Sequence, residues 1–348
     1  MKKIATILQI SFTYTGTVVG AGFATGQEIV QFFTKYGWMA TFTIAVASTL
    51  FVWLGIKLML LASQVGAKSY EDMNAYLFGP KLSNWISLFT MVVLFGVTTV
   101  MLAGGGSVFA EQLHGSYQTG LIVTVILAYV VLTRGMKAIL TVNSIVVPMM
   151  LFFSGVIVWH TWDSPSSGNW LRMTSDYPLE TIWAAPFLYS AFNLAMAQAV
   201  LVPLGAQTKD RSVLFWGGIW GGVGIGIMLL AGHFALSAHM PGIAQFDIPM
   251  GGIIERLGGV LQAMFILVIY GEIFTTFVGD IYGLSLQIEQ RFSIPNRAVI
   301  AAVLALSYVV SQFGFKTLLS TLYPLFGLVS IAWMVMMIWR TQAPGTNH

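Results

Sequence analysis

Residues 16–28 read Gly16-Thr17-Val18-Val19-Gly20-Ala21-Gly22-Phe23-Ala24-Thr25-Gly26-Gln27-Glu28, in the middle of an apolar stretch near 5–33. Four glycines fall within eleven residues here, and each costs a helix about 1 kcal/mol relative to Ala. Irregular backbone at membrane depth survives only where protein buries it or where it lines a wet cavity. The stretch therefore predicts a discontinuous helix. Its freed amides offer donors to an anionic group, and its freed carbonyls offer ligands to a cation. The competing reading is a close-packing face, since Gly16 with Gly20 and Gly22 with Gly26 each make a GxxxG spacing.

Membrane depth itself follows from composition. The chain has 348 residues, 57% hydrophobic and 8% charged, against about 25% charged in an ordinary soluble domain. Mean hydropathy is +0.80. So few charges cannot cover the surface of a soluble globule, and the same figures exclude a disordered chain. A net charge of +3 spread over the whole length makes no basic stripe for nucleic acid. The absence of Cys rules out disulfides, thiolate catalysis and Cys-ligated metal. Met1-Lys2-Lys3 before an apolar run has the look of a signal peptide, but Gln9, Ser11, Thr13, Tyr14 and Thr15 interrupt the run. It reads as a first span.

Crossing about 30 Å of hydrocarbon takes roughly 20 mostly apolar residues. Candidate spans lie near 5–33, 38–62, 84–112, 117–133 and 136–160, and again near 180–206, 212–237, 255–288, 296–313 and 317–339. With ten spans and a cytoplasmic N-terminus, 12 of the 16 Lys and Arg fall inside and only Lys35, Arg172, Arg256 and Lys316 outside. That asymmetry places both termini in the cytoplasm. The polar stretch 161–179 is then an outer loop between two five-span units, 1–160 and 180–340, with 341–348 a cytoplasmic tail. An odd number of spans per unit forces opposite orientations, the inverted repeat of secondary transporters. The repeat rests on hydropathy, without residue identity between the halves.

The first span of the second unit answers the first. Pro186 and Pro203 remove backbone donors, while Tyr189, Ser190, Asn193 and Gln198 put polar groups near the midplane. Interrupted helices at corresponding positions of two halves point to a transporter binding site, so helices 1 and 6 are both predicted to be discontinuous. Gly104-Gly105-Gly106-Ser107 in the third span is read as a close helix contact or a pocket floor beside them. No His lies at a depth to activate Ser107 as a nucleophile.

Gly16 to Gly22 resembles the unwound first-helix segment of the amino acid–polyamine–organocation superfamily and of the LeuT-type sodium symporters. The longer string through Gly26-Gln27-Glu28 is similar to the bacterial putative amino acid permeases within that superfamily. The resemblance implies an all-α, ten-helix membrane protein of the bacterial cytoplasmic membrane with a 5+5 inverted repeat. It implies substrate contacts at Gly20, Ala21, Gly22 and Phe23, with the Ala21 and Gly22 amides facing a carboxylate. It implies a sodium site from the carbonyls of Gly16 and Val19, completed in the eighth span by Thr275, Thr276 and a carbonyl of Gly271 or Glu272. Phe23 stands where relatives coupled to two sodium ions place a second-site ligand, and its ring cannot coordinate one.

Ionisable groups inside spans are costly and are functional candidates by default. Glu28 follows the first break. Glu272 is one turn from Thr275 and Thr276, and Asp280 lies eight residues on, roughly on the same face. The five His residues show no ligand spacing, so no transition-metal site is expected. Trp38, Trp159, Trp162, Trp183 and Trp339 mark span ends, whereas Tyr189 and Tyr270 fall inside spans beside the expected site. The function expected is a symporter rather than an enzyme. It would move a small zwitterionic solute such as an amino acid by alternating access, between spans one, three, six and eight, with sodium or, through Glu272, a proton as the coupling ion. A transporter-shaped solute sensor is the remaining alternative. A channel would need filter motifs or charge rings. An intramembrane enzyme would need a close dyad, and Glu272 and Asp280 stand about 12 Å apart along one helix.

Overall fold

The computed structural model describes residues 2–134, 137–292 and 294–340, with the backbone alone at 2, 80, 87, 134, 137–147, 256, 286 and 290–292. The tail at 341–348 and the basic side chains of Lys2, Arg134, Lys137, Arg256 and Arg291 lie outside the described residues. Helices in chain order are α1 (Lys2–Val18), α2 (Ala21–Thr25), α3 (Gln27–Phe32), α4 (Met39–Val65), α5 (Tyr70–Phe78) and α6 (Pro80–Ser107). There follow α7 (Tyr117–Arg134), α8 (Lys137–Trp162), α9 (Asn169–Arg172), α10 (Leu179–Gln207), α11 (Arg211–Ser237), α12 (Pro249–Ile254), α13 (Gly259–Phe292), α14 (Asn296–Ser311) and α15 (Phe315–Trp339). Among the described residues, six helices are long and apolar enough to cross a membrane: α4, α6 with its π-helical extension to Gln112, α10, α11, α13 and α15.

Local chemistry sets the helix ends. Ser69 and Asp72 form a reciprocal capping box on α5, with Asp72 N–H donating to Ser69 Oγ at 3.2 Å and Ser69 N–H to Asp72 Oδ2 at 3.1 Å. Asp210 caps α11 by accepting from Ser212 N–H at 2.9 Å. Gly66 closes α4 at φ 70°, a left-handed position that suits glycine.

Small residues let helices approach closely where lipid supplies no hydrophobic drive between them. On α11, a Cβ at Gly222 would stand 2.7 Å from the backbone of Val52, and one at Gly221 would stand 3.0 Å from Tyr14 Cβ. The neighbouring hydroxyls bond across the same seam: Ser11 Oγ to Gly217 O and Thr15 Oγ1 to Gly221 O, both at 3.2 Å, and Tyr14 Oη to Phe51 O at 2.7 Å. Thus α1, α4, α10 and α11 pack as one bundle that grips the first segment, while α6, α7, α13 and α14 pack as a second group. Basic residues assigned to the inner side gather at one end: Lys3 pairs with Asp210 at 3.0 Å, Lys57 Nζ donates to Ile338 O at 2.8 Å, and Arg340 donates to Leu77 O at 3.2 Å.

One expectation is corrected. Helix 6 is not discontinuous, because α10 runs unbroken from Leu179 to Gln207 through Pro186 and Pro203. Each proline removes only one ladder bond, and close packing of α10 on α4 and α15 holds the rest of the rod. The stretch 161–179, expected as an outer loop, is docked on the helices: Trp38 N–H donates to Met173 O at 2.7 Å and Thr41 Oγ1 to Trp170 O at 3.0 Å.

Candidate functional site

The chain leaves α1 when Val19 N–H closes the last turn on Thr15 O at 2.8 Å. Gly20 is extended, at φ −97° and ψ −166°, and its N–H turns back to Val18 O at 3.1 Å. Helix resumes at Ala21, then pauses at Gly26, whose φ of 84° redirects the chain into α3. The first N–H groups of a helix have no carbonyl four residues back, which leaves the Ala21 and Gly22 amides as donors beside the break. A Cβ at Gly20 would meet nothing within 4 Å, so open space adjoins it. Gly16 is half-buried there, whereas Val19 and Phe23 are buried.

The double break folds Glu28 back onto Gly22. A Cβ on Gly22 would stand 2.6 Å from Glu28 Cδ, so only glycine leaves room for this carboxyl. Glu28 is 5% exposed. Beside it lies the Tyr189 hydroxyl from α10, close enough for the two groups to interact electrostatically. The Tyr189 ring is held by Phe32, Phe33 and Phe51, with centroids at 5.2, 5.1 and 5.9 Å. From α15, Tyr323 comes within electrostatic reach of both Glu28 and Asp280, its ring 4.7 Å from that of Phe192.

Several polar atoms on these elements are enclosed with no hydrogen-bond partner among the described residues: Gln27 Oε1, Glu28 Oε2, Tyr189 Oη, Ser190 Oγ and Asp280 Oδ2. A buried polar atom left unpaired costs about 1–3 kcal/mol. Native proteins keep few such atoms, and the two that lie side by side here, on Glu28 and Tyr189, mark a place suited to hydrogen bonds from something else. Asn193 is buried and donates to Tyr189 O at 3.0 Å.

Of the residues expected to hold a coupling ion, Gly271, Glu272, Thr275 and Thr276 sit on α13, which packs against α2. Glu272 is 6% exposed, and Thr275 is buried and donates to Glu272 O at 3.2 Å. That bond uses the Thr275 proton and leaves its oxygen lone pairs. Gly271 and Thr276 are half-buried on the same helix. Among the described residues, Thr275 and Thr276 make no hydrogen bond to Gly16 or Val19.

Two expected neighbours of the site are engaged elsewhere. Gly106 belongs to the α6–α7 contact: a Cβ there would stand 2.6 Å from the Tyr117 ring, and one on Gly120 would stand 2.8 Å from the Gly106 Cα. Of the two readings for the Gly104–Gly106 run, Gly106 takes the close helix contact. Tyr270 pairs with Thr124 of α7 at 2.9 Å and stacks on Phe274, which ties it to the second helix group.

The structure adds two features that hydropathy did not single out. Tyr323 is one, and its signal is a polar ring next to Pro324 inside an apolar span. The other is α12, which the span pattern left in a loop and which sits over the first segment, with Met250 Cγ 2.8 Å from where a Gly26 Cβ would be. Glu111, at the end of the α6 extension, clamps the approach to α12 by accepting from Asp247 N–H at 2.7 Å and Ile248 N–H at 2.9 Å. Ser107 Oγ donates to Asp247 Oδ2 at 2.7 Å alongside.

With this geometry in hand, the comparisons with known proteins fall into place. No family model matches the chain. It is 40% identical over 330 residues to the uncharacterized membrane protein YkvI of Bacillus subtilis (strain 168), covering 94% of this chain and 93% of that one. It is 25% identical over 324 residues to the uncharacterized protein YyaD of the same organism, covering 93% of each. Among solved structures, its fold is similar to Mhp1 in an inward-facing conformation, with a TM-score of 0.68 over 95% of this chain and 75% of that one, at 12% identity. That identity carries the fold alone, which is of the LeuT type. The chain is therefore a multi-pass membrane protein with a LeuT-type fold, and it belongs to the family of the Bacillus subtilis membrane protein YkvI.

Proposed function

We propose that this protein is a secondary active transporter that carries a small zwitterionic solute, an amino acid, across the cytoplasmic membrane by alternating access. The observation that carries the reading is the enclosed Glu28 carboxyl folded onto Gly22 just after the break at Gly20, with the buried Tyr189 hydroxyl next to it. In it, the carboxylate of Glu28 pairs with the substrate ammonium, and the Ala21 and Gly22 amides receive the substrate carboxylate. A zwitterion satisfies both ends at once. Gly20 supplies space for the Cα substituent, and the aromatic wall around Tyr189 sets its size. The resemblance of Gly16–Glu28 to the putative amino acid permeases supports the same substrate class, and a fold like that of a protein solved facing inward supports alternating access.

In this reading one sodium ion is co-transported on the carbonyls of Gly16 and Val19 with Thr275, Thr276 and Gly271. Uptake of a bound amino acid into proteoliposomes then collapses when choline replaces sodium, and Thr275→Val or Thr276→Val raises the sodium requirement. A thermal-shift screen of amino acids with and without sodium tests binding and ion linkage together, because a ligand selective for the folded state raises apparent stability. No stabilisation by any amino acid in either condition would overturn the substrate class.

A second reading is favoured by the carboxyls themselves. Glu28 Oε2 and Asp280 Oδ2 have no hydrogen-bond partner, and among the described residues the only ion pair joins Lys3 to Asp210. A buried carboxyl without a cation is a natural proton carrier. If uptake is unchanged in choline, coupling passes to protons, and Glu272→Gln assayed across pH decides whether Glu272 carries them.

A further inference from the structure

A second enclosed polar pair lies away from the proposed solute site. Between α6, α10 and α15 there is a cavity of about 310 Å³ whose lining includes Phe89, Gln198 and Trp333. Gln198 is 3% exposed and Trp333 4%, yet Gln198 Oε1 and Trp333 Nε1 have no hydrogen-bond partner among the described residues. One is an acceptor and the other a donor. Gln198 stands eight residues along α10 from Ser190, about 12 Å by helix rise, so the cavity is distinct from the cluster around Glu28.

Three features define what fits. Among the described residues no ionisable side chain lines the cavity, so a charged group would enter it unpaired at heavy cost. The mouth is flanked by Leu82, Trp85 and Val329, which are 49, 70 and 42% exposed on the apolar outer surface. It therefore opens sideways toward lipid rather than along the solute path. Trp85 lies five residues after Pro80 at the start of α6, about 8 Å in by helix rise, the depth of the boundary between headgroups and acyl chains.

We infer that this cavity binds an uncharged, hydroxyl-headed lipid from the bilayer, whose hydroxyl accepts from Trp333 Nε1–H and donates to Gln198 Oε1 while its chain lies along Leu82, Trp85 and Phe89. A hydroxyl is the smallest head that is both donor and acceptor, and it matches the unpaired acceptor of Gln198 and the unpaired donor of Trp333.

The full-length protein in phosphatidylcholine nanodiscs tests this with 1,2-dioleoylglycerol as the probe and 1,2-dioleoylphosphatidylglycerol as the charged control. Dioleoylglycerol raises the melting temperature in a saturable way, and a diazirine-bearing analogue labels peptides around Leu82–Phe89 and Val329–Trp333. Trp333→Phe and Gln198→Leu each weaken the apparent affinity about tenfold, the loss expected for one buried hydrogen bond. Without probe, Gln198→Leu is at least as stable as wild type, because it replaces an unpaired buried acceptor by an apolar group of similar size. That last measurement separates a folding defect from a lost contact. Absence of a saturable shift, labelling elsewhere, or equal protection by phosphatidylglycerol would each overturn the proposal, the last by showing that the cavity takes acyl chains whatever their head.

Discussion

Gly22→Ala is the sharpest probe of the folded-back Glu28. The new Cβ would lie 2.6 and 2.7 Å from Glu28 Cδ and Cγ, where ordinary van der Waals contact begins near 3.4 Å. The carboxyl must therefore give way by about 0.7 Å or more, and it cannot do so freely because Glu28 is 5% exposed and walled by Tyr189. Overpacking of this kind costs about 1–3 kcal/mol. Ala returns up to about 1 kcal/mol through its better helix preference, since α2 is helical at this position. The net expectation is a loss of about 0–3 kcal/mol, which alone decides little. The coupling decides more. In a Glu28→Ala background the obstructing atoms are gone, so Gly22→Ala becomes neutral or stabilising by up to about 1 kcal/mol. The double-mutant cycle then reads an interaction of about 1–3 kcal/mol between positions six residues apart. Equilibrium unfolding in mixed micelles measures all four corners. If Gly22→Ala costs the same in both backgrounds, Glu28 does not lie on Gly22 and the site drawn around it is wrong.

Other consequences are as concrete. Glu28→Gln keeps the shape of the side chain but removes its charge, so affinity for a zwitterionic solute falls by roughly 10- to 100-fold, read by isothermal titration; an unchanged affinity would place the ammonium elsewhere. Glu111→Ala strips the acceptor from the Asp247 and Ile248 amides, costs about 1–3 kcal/mol, and accelerates hydrogen exchange at those two positions. Gly222→Val drives a side chain into the Val52 backbone, which cannot rotate away, and lowers thermal stability markedly, whereas Gly20→Ala meets open space and leaves stability nearly unchanged. Lys35, against the rings of Tyr36 and Tyr177, is pushed down by burial to about 8 from its ordinary 10.5. Between those values the unfolded chain binds more protons than the folded one, so stability rises with pH from about 8 to 10.5. Lys35→Met flattens that rise in a melting-temperature series, and an identical slope in the variant would assign it to other groups.

Much of this was legible in the chain. The shortage of charge, the lengths of the apolar runs and the glycine string at 16–28 identify a membrane protein whose first helix is interrupted. They do so because helix propensity, bilayer thickness and the cost of charge in hydrocarbon act on each segment alone. Where a neighbour decides the outcome, local reading was less sure. Pro186 and Pro203 announce a break that α10 does not make, since packing on both sides sustains the helix through the missing donors. Gly106 looks like a pocket floor until Tyr117 is seen against it. Tyr323 is one aromatic among many until the fold buries it within electrostatic reach of Glu28 and Asp280. Sequence determined that polar groups had to be buried in this membrane protein. Only the tertiary structure decided which of them were left without partners, because a hydrogen bond is a matter of ångströms between segments that lie far apart in the chain.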